Sequence, residues 1–414
     1  MLAPIPGRAR VPSCPPRAHP VAGPRRHNGA ARVQGRIEAI SGSELIVADA
    51  LGRTLVTLTE PAGLRPGELV IVEGELAAGR VLRGRLVARY SAPEPHGSSE
   101  FARLAWQGVG VNLCQRAEAL TKIREYFRAA HFVEVDTPLR VRAPQLDAGI
   151  RSIRAGDGWL IASPEYHMKR LLAGGMPRLF QLAHCWRAEE LGPWHETEFM
   201  MLEWYRAFSE LESVLVDTEV VVCEVVELLA GSNVIRAPGA GIAVEVATPF
   251  ERLSVSDAFR RYAGVRDLAD LARTDENLYF ELMVSRVEPA LASISRPVFL
   301  CDYPITQAAL ARPKEEDPEF AERAELYLGG IELCNAYGEL TDAAENTRRL
   351  LAQSQNLRDE ESGSPAPVDH SFLAALAEGL PPAAGNALGI DRLIALGLGA
   401  PDIARVQAFP AQRL

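Results

Sequence analysis

LFQLAHCWRAEELGPWHETEFMMLEWYR, residues 179–206, decides how this chain is read. Leu179 to Arg187 is mostly apolar, and Glu198 to Arg206 is apolar and aromatic, the composition that strands prefer. Between them, Ala188 to Thr197 holds Gly192, Pro193 and three carboxylates, which interrupt a strand. The stretch predicts two strands joined by a charged loop. Side chains alternate between the faces of a strand, so Phe199, Met201, Glu203 and Tyr205 share one face, opposite Arg187. A ring, a carboxylate and a phenol facing a guanidinium suit the wall of a polar pocket. The plainer reading is an amphipathic hairpin with solvated charges, and other motifs must choose between them.

The second constellation is AELYLGGIELCNAYGELTD, residues 324–342. Gly329-Gly330 is a strong signal for a two-residue hairpin turn. A turn there pairs Leu328 with Ile331 and Tyr327 with Glu332, and sets Glu325 diagonal to Glu332 on one face. Two converging carboxylates repel unless a cation sits between them, and carboxylates that hold Mg²⁺ beside substrate phosphates are a common arrangement. Solvated edge charges are the alternative. Strict alternation sends Asn335 and Glu339 to the opposite face, and a β-bulge is needed to bring them into the same pocket. The third constellation is GNALGIDR, residues 385–392, ahead of an apolar helix. Its small residues allow close backbone approach to a ligand, and Arg392 can reach a phosphate or stack on a ring. An ordinary helix start with a solvated arginine is the competing reading. HETEF, residues 195–199, lacks the second histidine of a zincin helix.

Around these motifs the chain is ordinary for a soluble globular protein. With 414 residues it has room for two or three domains. A net charge of -10 argues against a surface that coats DNA. Cys14, Cys114, Cys185, Cys223, Cys301 and Cys334 form no CxxC pair, so the spacing suggests neither a metal site nor a disulfide framework, and a reducing cytoplasm is expected. No apolar run reaches membrane-spanning length. Residues 1–30, rich in Pro and Arg, predict a disordered tail. Residues 31–95 carry five short β-rich runs broken at tight intervals, which predicts an OB-like β-barrel. Its single aromatic residue, Tyr90, and its balance of eight basic against eight acidic residues favour an accessory or protein-docking role over gripping an anticodon. Residues 96–112 are expected to link the barrel to a catalytic domain over 113–414. There, helices are expected over 113–130 and 207–230, with shorter ones across 250–295. A surface loop is expected from Ser354 to Val368.

Taken in order, Pro138, the hairpin with Arg187, and GIDR resemble motifs 1, 2 and 3 of the class II aminoacyl-tRNA synthetases. SPEYHMKRLL (163–172), MLEWYR, GIELCNAYGELTDA and ALGIDRL together resemble the elongation factor P–lysine lysyltransferase family, a paralogue of lysyl-tRNA synthetase that modifies a protein. The resemblance covers about residues 113–414. It implies an α+β fold: an antiparallel catalytic sheet of six or seven strands with flanking helices, preceded here by the barrel. It implies a cytoplasmic homodimer that uses ATP and Mg²⁺.

The resemblance also implies roles. Arg187 and Arg392 would be catalytic, Arg187 on the α-phosphate and Arg392 covering adenine. Glu189 and Phe199 would position adenine, and His195 would lie near the outer phosphates. Glu325 and Glu332 would hold Mg²⁺. Glu165 would take the substrate amino group. Glu203, Tyr205 and Glu339 would grip the distal ammonium, with Asn335 nearby. Ala387 replaces the glycine typical of lysyl-tRNA synthetases, and its methyl narrows the pocket, as in relatives that prefer (R)-β-lysine. The implied reaction is lysine activation and transfer to elongation factor P. The alternative is charging of tRNA(Lys), for which an N-terminal barrel is more usual. An inactive binding or regulatory paralogue is a third reading, opposed by the intact set Arg187, Glu325, Glu332 and Arg392.

Overall fold

The computed structural model describes residues 29–414 apart from 61, 62, 78, 148, 239, 240, 309 and 358–364. The chain divides between Cys114 and Gln115 into two compact units. In the first, β1 (Gly29–Ser41), β2 (Glu44–Asp49), β3 (Gly52–Leu58), β4 (Leu69–Ala77) and β5 (Arg80–Tyr90) close into a barrel in the order β1-β2-β3-β5-β4. Alternation along these strands sends Ile37, Leu45, Val47, Val56, Val70, Val72 and Val81 inward as a dry core. The expected tail lies outside the described residues except for Gly29 and Ala30, which begin β1. The expected linker, 96–112, is partly helical. Ala102–Trp106 forms a π-helical turn with Phe101 edge-on to Trp106, and α1 (Val109–Ala129) begins inside it. Its Gly and Ser content hid this apolar pair.

In the second unit, β6 (Val133–Glu134) is followed by a small sheet of β7 (Arg140–Val141), β8 (Arg154–Ala155) and β9 (Gly158–Leu160). Next come α2 (Glu165–Ala173), then β10 (Arg178–Trp186) and β11 (Glu198–Ala207), which are the two arms of the opening hairpin. α3 (Leu211–Ala230) ends at Gly231 in the left-handed conformation, and a ribbon of β12 (Val234–Arg236) and β13 (Ala243–Glu245) follows. After β14 (Glu251–Ser254), the helices α4 (Val255–Tyr262), α5 (Leu268–Thr274), α6 (Glu276–Leu282) and α7 (Glu288–Leu291) fill the region expected to be helical. β15 (Val298–Pro304), β16 (Phe320–Leu328) and β17 (Ile331–Gly338) return to the sheet. α8 (Ala343–Asn356), α9 (His370–Glu378), β18 (Ala383–Gly389) and α10 (Ile390–Leu398) complete the unit.

The catalytic-type sheet has the order β14-β15-β16-β17-β18-β11-β10-β6. Its six central strands are antiparallel, and β14 and β6 pair in parallel at the edges. At four and two residues these edge strands are too short to show a period, so the sheet is wider than the sequence suggested. One face carries the main core. Phe127 of α1, Val222 and Val226 of α3 and Leu393 of α10 pack there on Phe180, Leu202, Trp204, Leu326 and Leu388. The other face is left to the pocket.

Two local devices set which side chains reach that face. Gly329 and Gly330 both have positive φ, 59° and 84°, as a type I′ turn requires. Leu328 pairs with Ile331 and Tyr327 with Glu332, but Leu326 then pairs with Cys334, leaving Leu333 as an extra residue. This β-bulge turns Asn335 and Tyr337 to the same side as Glu332. The expected loop from Ser354 to Val368 starts later than its polar composition implies. α8 runs to Asn356, and the buried Ser354 Oγ donates to the Ala366 carbonyl. Residues 358–364 lie outside the described residues.

Candidate active site

The open face of the sheet floors a cavity of about 320 Å³. Phe199, Met201, Glu203 and Tyr205 of β11 line it, as alternation along that strand requires. Arg323 and Glu325 come from β16, Glu332, Asn335 and Tyr337 from β17, and Gly385, Ala387 and Gly389 from β18. Register brings them together: Ala387 lies between Glu203 on β11 and Asn335 on β17.

One end is built of buried carboxylates. Glu203 is 1 % exposed and accepts hydrogen bonds from Ser163 Oγ and from the Tyr205 hydroxyl, each at 2.6 Å. Burial first, and the nearby Glu165 second, push its pKa up to about 8. Glu165, at the start of α2, accepts from Gln145 Nε2 and from Lys169 Nζ, both at 2.6 Å. The Lys169 ammonium, itself 3 % exposed, lies 2.6 Å from Glu339 Oε2. Burial opposes its charge, but Glu165 and Glu339 outweigh that and hold its pKa above the usual range. Glu339 is 1 % exposed and does not line the cavity, and burial raises its pKa to about 7. Gly385 separates it from the cavity: a Cβ there would come within 2.8 Å of Glu339 Oε1 and 2.3 Å of the Tyr205 ring.

The other end is cationic. The Arg187 guanidinium lies over the Phe199 ring, 5.2 Å from its centroid, and its buried Nε has no hydrogen-bond partner among the described residues. Arg392, in the first turn of α10, donates from Nε to the Trp194 carbonyl and from Nη1 to that of Glu332, and its Nη2 is 2.7 Å from His195 Nε2. Burial and then Arg392 lower the His195 pKa, so the imidazole is neutral at neutral pH. Asp391 ties α10 down, pairing with Arg116 of α1 and accepting from the Met200 amide at 3.0 Å. Glu325 accepts from Tyr303 (2.5 Å), Tyr327 (3.0 Å) and Arg323 (2.5 Å). Glu332 faces it across the bulge; loss of solvation and then Glu325 raise its pKa. No group of three His, Cys, Asp or Glu side chains that could hold a metal alone occurs among the described residues. Two hard carboxylates fit Mg²⁺ when phosphate oxygens complete its shell.

The model of the tRNA synthetases class II (D, K and N) family matches residues 98–413. The chain belongs to this family.

As a class II synthetase relative, the chain has the antiparallel sheet that the motifs implied, and family membership implies use of ATP. It is 37% identical over 318 residues to the elongation factor P–(R)-β-lysine ligase of Proteus mirabilis, an alignment covering 73% of this chain and 96% of that protein. The protein of the same name from Klebsiella pneumoniae is 37% identical over 317 residues, covering 73% and 95%. That of Hamiltonella defensa is 34% identical over 322 residues, covering 73% and 95%. The resemblance read from the sequence is borne out, and about a quarter of this chain lies outside these alignments. The matched family region begins after β5.

Within this synthetase-type site the fold brings together Arg187, His195, Phe199, Glu325, Glu332, Arg392, Glu165, Glu203, Tyr205, Asn335 and Ala387. It does not bring in Glu189. That residue has φ 63°, which turns its side chain outward to Arg151 at 2.6 Å, while Glu190 and Glu196 line the cavity instead. Glu339 sits behind the wall, and Lys169 already answers its charge. Sequence reasoning missed Ser163, Lys169 and Arg323. The i, i+4 spacing of Glu165 and Lys169 was a signal for an ion pair on a helix. Arg323, two residues before Glu325, had to share its face.

Proposed function

We propose that this chain activates lysine, (R)-β-lysine foremost, as an aminoacyl adenylate and transfers it to a lysine side chain of elongation factor P. The observation that carries this reading is identity of 37% to named elongation factor P–(R)-β-lysine ligases across 95–96% of their length. The geometry supports it. A cationic end suits a nucleotide, a buried carboxylate end suits ammonium groups, and one cavity joins them. A substrate carboxylate oxygen attacks the α-phosphorus of ATP, and the bond to pyrophosphate breaks. Arg187, with its unpartnered Nε, meets the charge that develops on the α-phosphoryl oxygens. Phe199 supplies a face for adenine once Arg187 swings to the phosphates, and Arg392 covers the opposite side. Neutral His195 stands by the outer phosphates. Glu325 and Glu332 would hold Mg²⁺, which supplies charge neutralisation on the phosphates when bound. Glu165 takes the substrate amino group, and Glu203 and Tyr205 take the distal ammonium. In the second step the acceptor amine, entering as the free base, attacks the adenylate carbonyl carbon. AMP leaves, and the nitrogen then loses its proton. Catalysis comes from positioning and charge rather than from a protein nucleophile.

A cytoplasmic homodimer is part of the same proposal. Among the described residues no helix is long and apolar enough to cross a membrane. The test is the intact mass of elongation factor P after incubation with ATP and (R)-β-lysine. A mass increase of one lysyl group is expected. An unchanged factor alongside charged tRNA(Lys) would overturn the reading in favour of a tRNA synthetase.

A further inference from the structure

The carboxylate end holds three buried acids, Glu165, Glu203 and Glu339, at 6 %, 1 % and 1 % exposure, and one resident cation, Lys169. Lys169 Nζ takes one oxygen of Glu165 and one of Glu339, each at 2.6 Å. It joins α2 to the segment just past β17, 170 residues on in the chain. The second oxygen of Glu165 is held by Gln145, and Glu339 Oε1 has no hydrogen-bond partner among the described residues. Tyr166 of α2, Cys185 of β10, Glu203 and Tyr205 of β11, Tyr337 of β17, Asp147, and Arg312 beside Glu339 are further charged or titratable groups around this cluster. From α9, the apolar ring of Phe372 stacks on Tyr166 at 4.3 Å. Burying three carboxylates is costly unless cations answer them. One resident ammonium leaves the cluster two positive charges short, and in the empty pocket protons meet part of that shortfall at Glu203 and Glu339.

We infer that Lys169 is a positioning residue of the amino-acid pocket: its ammonium fixes Glu165 and Glu339 and sets a residual charge that a substrate with two ammonium groups balances. The inference rests on the lysine-activating reading above and deepens it. Lysine and β-lysine each carry two ammonium groups, so either displaces the protons and completes the balance. A substrate with one ammonium leaves a buried acid uncompensated.

The experiment measures lysine- and (R)-β-lysine-dependent ATP–pyrophosphate exchange across pH for the intact wild-type chain, Lys169→Met and Lys169→Arg. Lys169→Met should raise the amino-acid KM about tenfold or more while the ATP KM stays within about threefold. Without the ammonium the acids keep their protons to higher pH, so the acid limb of kcat/KM should move upward. Lys169→Arg keeps the charge and should return that limb to the wild-type position, with the amino-acid KM still raised because a planar fork does not fit a point site. If Lys169→Met does not fold, the arginine variant carries the test alone. The inference is overturned if Lys169→Met raises both KM values alike with an unmoved pH limb, or if Lys169→Arg matches wild type. Wild-type protein that activates neither amino acid refutes the functional reading instead.

Discussion

Replacing Glu203 by glutamine isolates the charge at the blind end of the pocket. The amide nearly preserves shape and can still meet Ser163 and Tyr205, whose hydroxyls rotate to donate or accept. What it loses is the negative charge proposed to face the substrate ammonium. Removing one partner of a buried charge pair costs about 3–5 kcal/mol. Part of that is not realised in wild type, because Glu203 has a pKa near 8 in the empty pocket and must shed a proton before the ammonium binds. At pH 7 that is one unit, about 1.4 kcal/mol. The net loss is about 2–4 kcal/mol, a rise in lysine KM of roughly 30- to 700-fold. ATP–pyrophosphate exchange reads it directly, with ATP and lysine varied separately. The ATP KM should stay within about threefold, because Glu203 lies far along the strand from Arg187 and its partners. The pH dependence gives a second check. A buried carboxyl with a raised pKa is protonated below about 8 and ionised above it, so wild type should gain affinity as pH rises through that range. The variant has no such group, and the gap between them should widen. A change in lysine KM under about threefold, or an equal rise in both KM values, would refute the assignment of Glu203 to the ammonium.

Two other substitutions probe separate parts of the design. Arg187→Ala should lower exchange by at least about a hundredfold, since it removes the donor proposed to face the α-phosphoryl charge; retention of a tenth of wild-type kcat would rule out that role. Gly330→Ala should cost about 2–4 kcal/mol of stability in urea titration. Its φ of 84° disfavours any side chain, and the new Cβ would lie 2.5 Å from that of Ala292; a loss below about 1 kcal/mol would show that the turn yields.

Much of the sheet was legible because alternation is a local rule. The two arms of the 179–206 hairpin end within a residue of where composition placed them, and the face shared by Phe199, Met201, Glu203 and Tyr205 is the pocket face. Gly329-Gly330 makes the turn its residue types demand. What escaped depended on distant partners. The Leu333 bulge has no glycine or proline to announce it, because its extra residue is an ordinary leucine packed into the core. Lys169 reads as a surface lysine on an amphipathic helix until Glu339 arrives from the far half of the chain. Glu189 and Glu190 are chemically identical neighbours, and only backbone dihedrals choose which one faces inward. The short edge strands β6 and β14 offer too few residues to show a period at all.

The bulge makes β17 behave like a reading frame. Upstream of Leu333 the strand presents Glu332 to the cavity, and downstream it presents Asn335 and Tyr337 on the same face. If the strand paired without the bulge at its present length, strict alternation would put Cys334 and Ala336 on the pocket face in place of Asn335 and Tyr337; deleting Leu333 would remove the extra residue and leave Asn335 and Tyr337 on that face. The face that Asn335 and Tyr337 present is set by whether the extra residue is accommodated as a bulge, not by which side chain it carries. A homologue that lacks one residue at this position should therefore pair these two strands without a bulge and still present the counterparts of Asn335 and Tyr337 to the pocket.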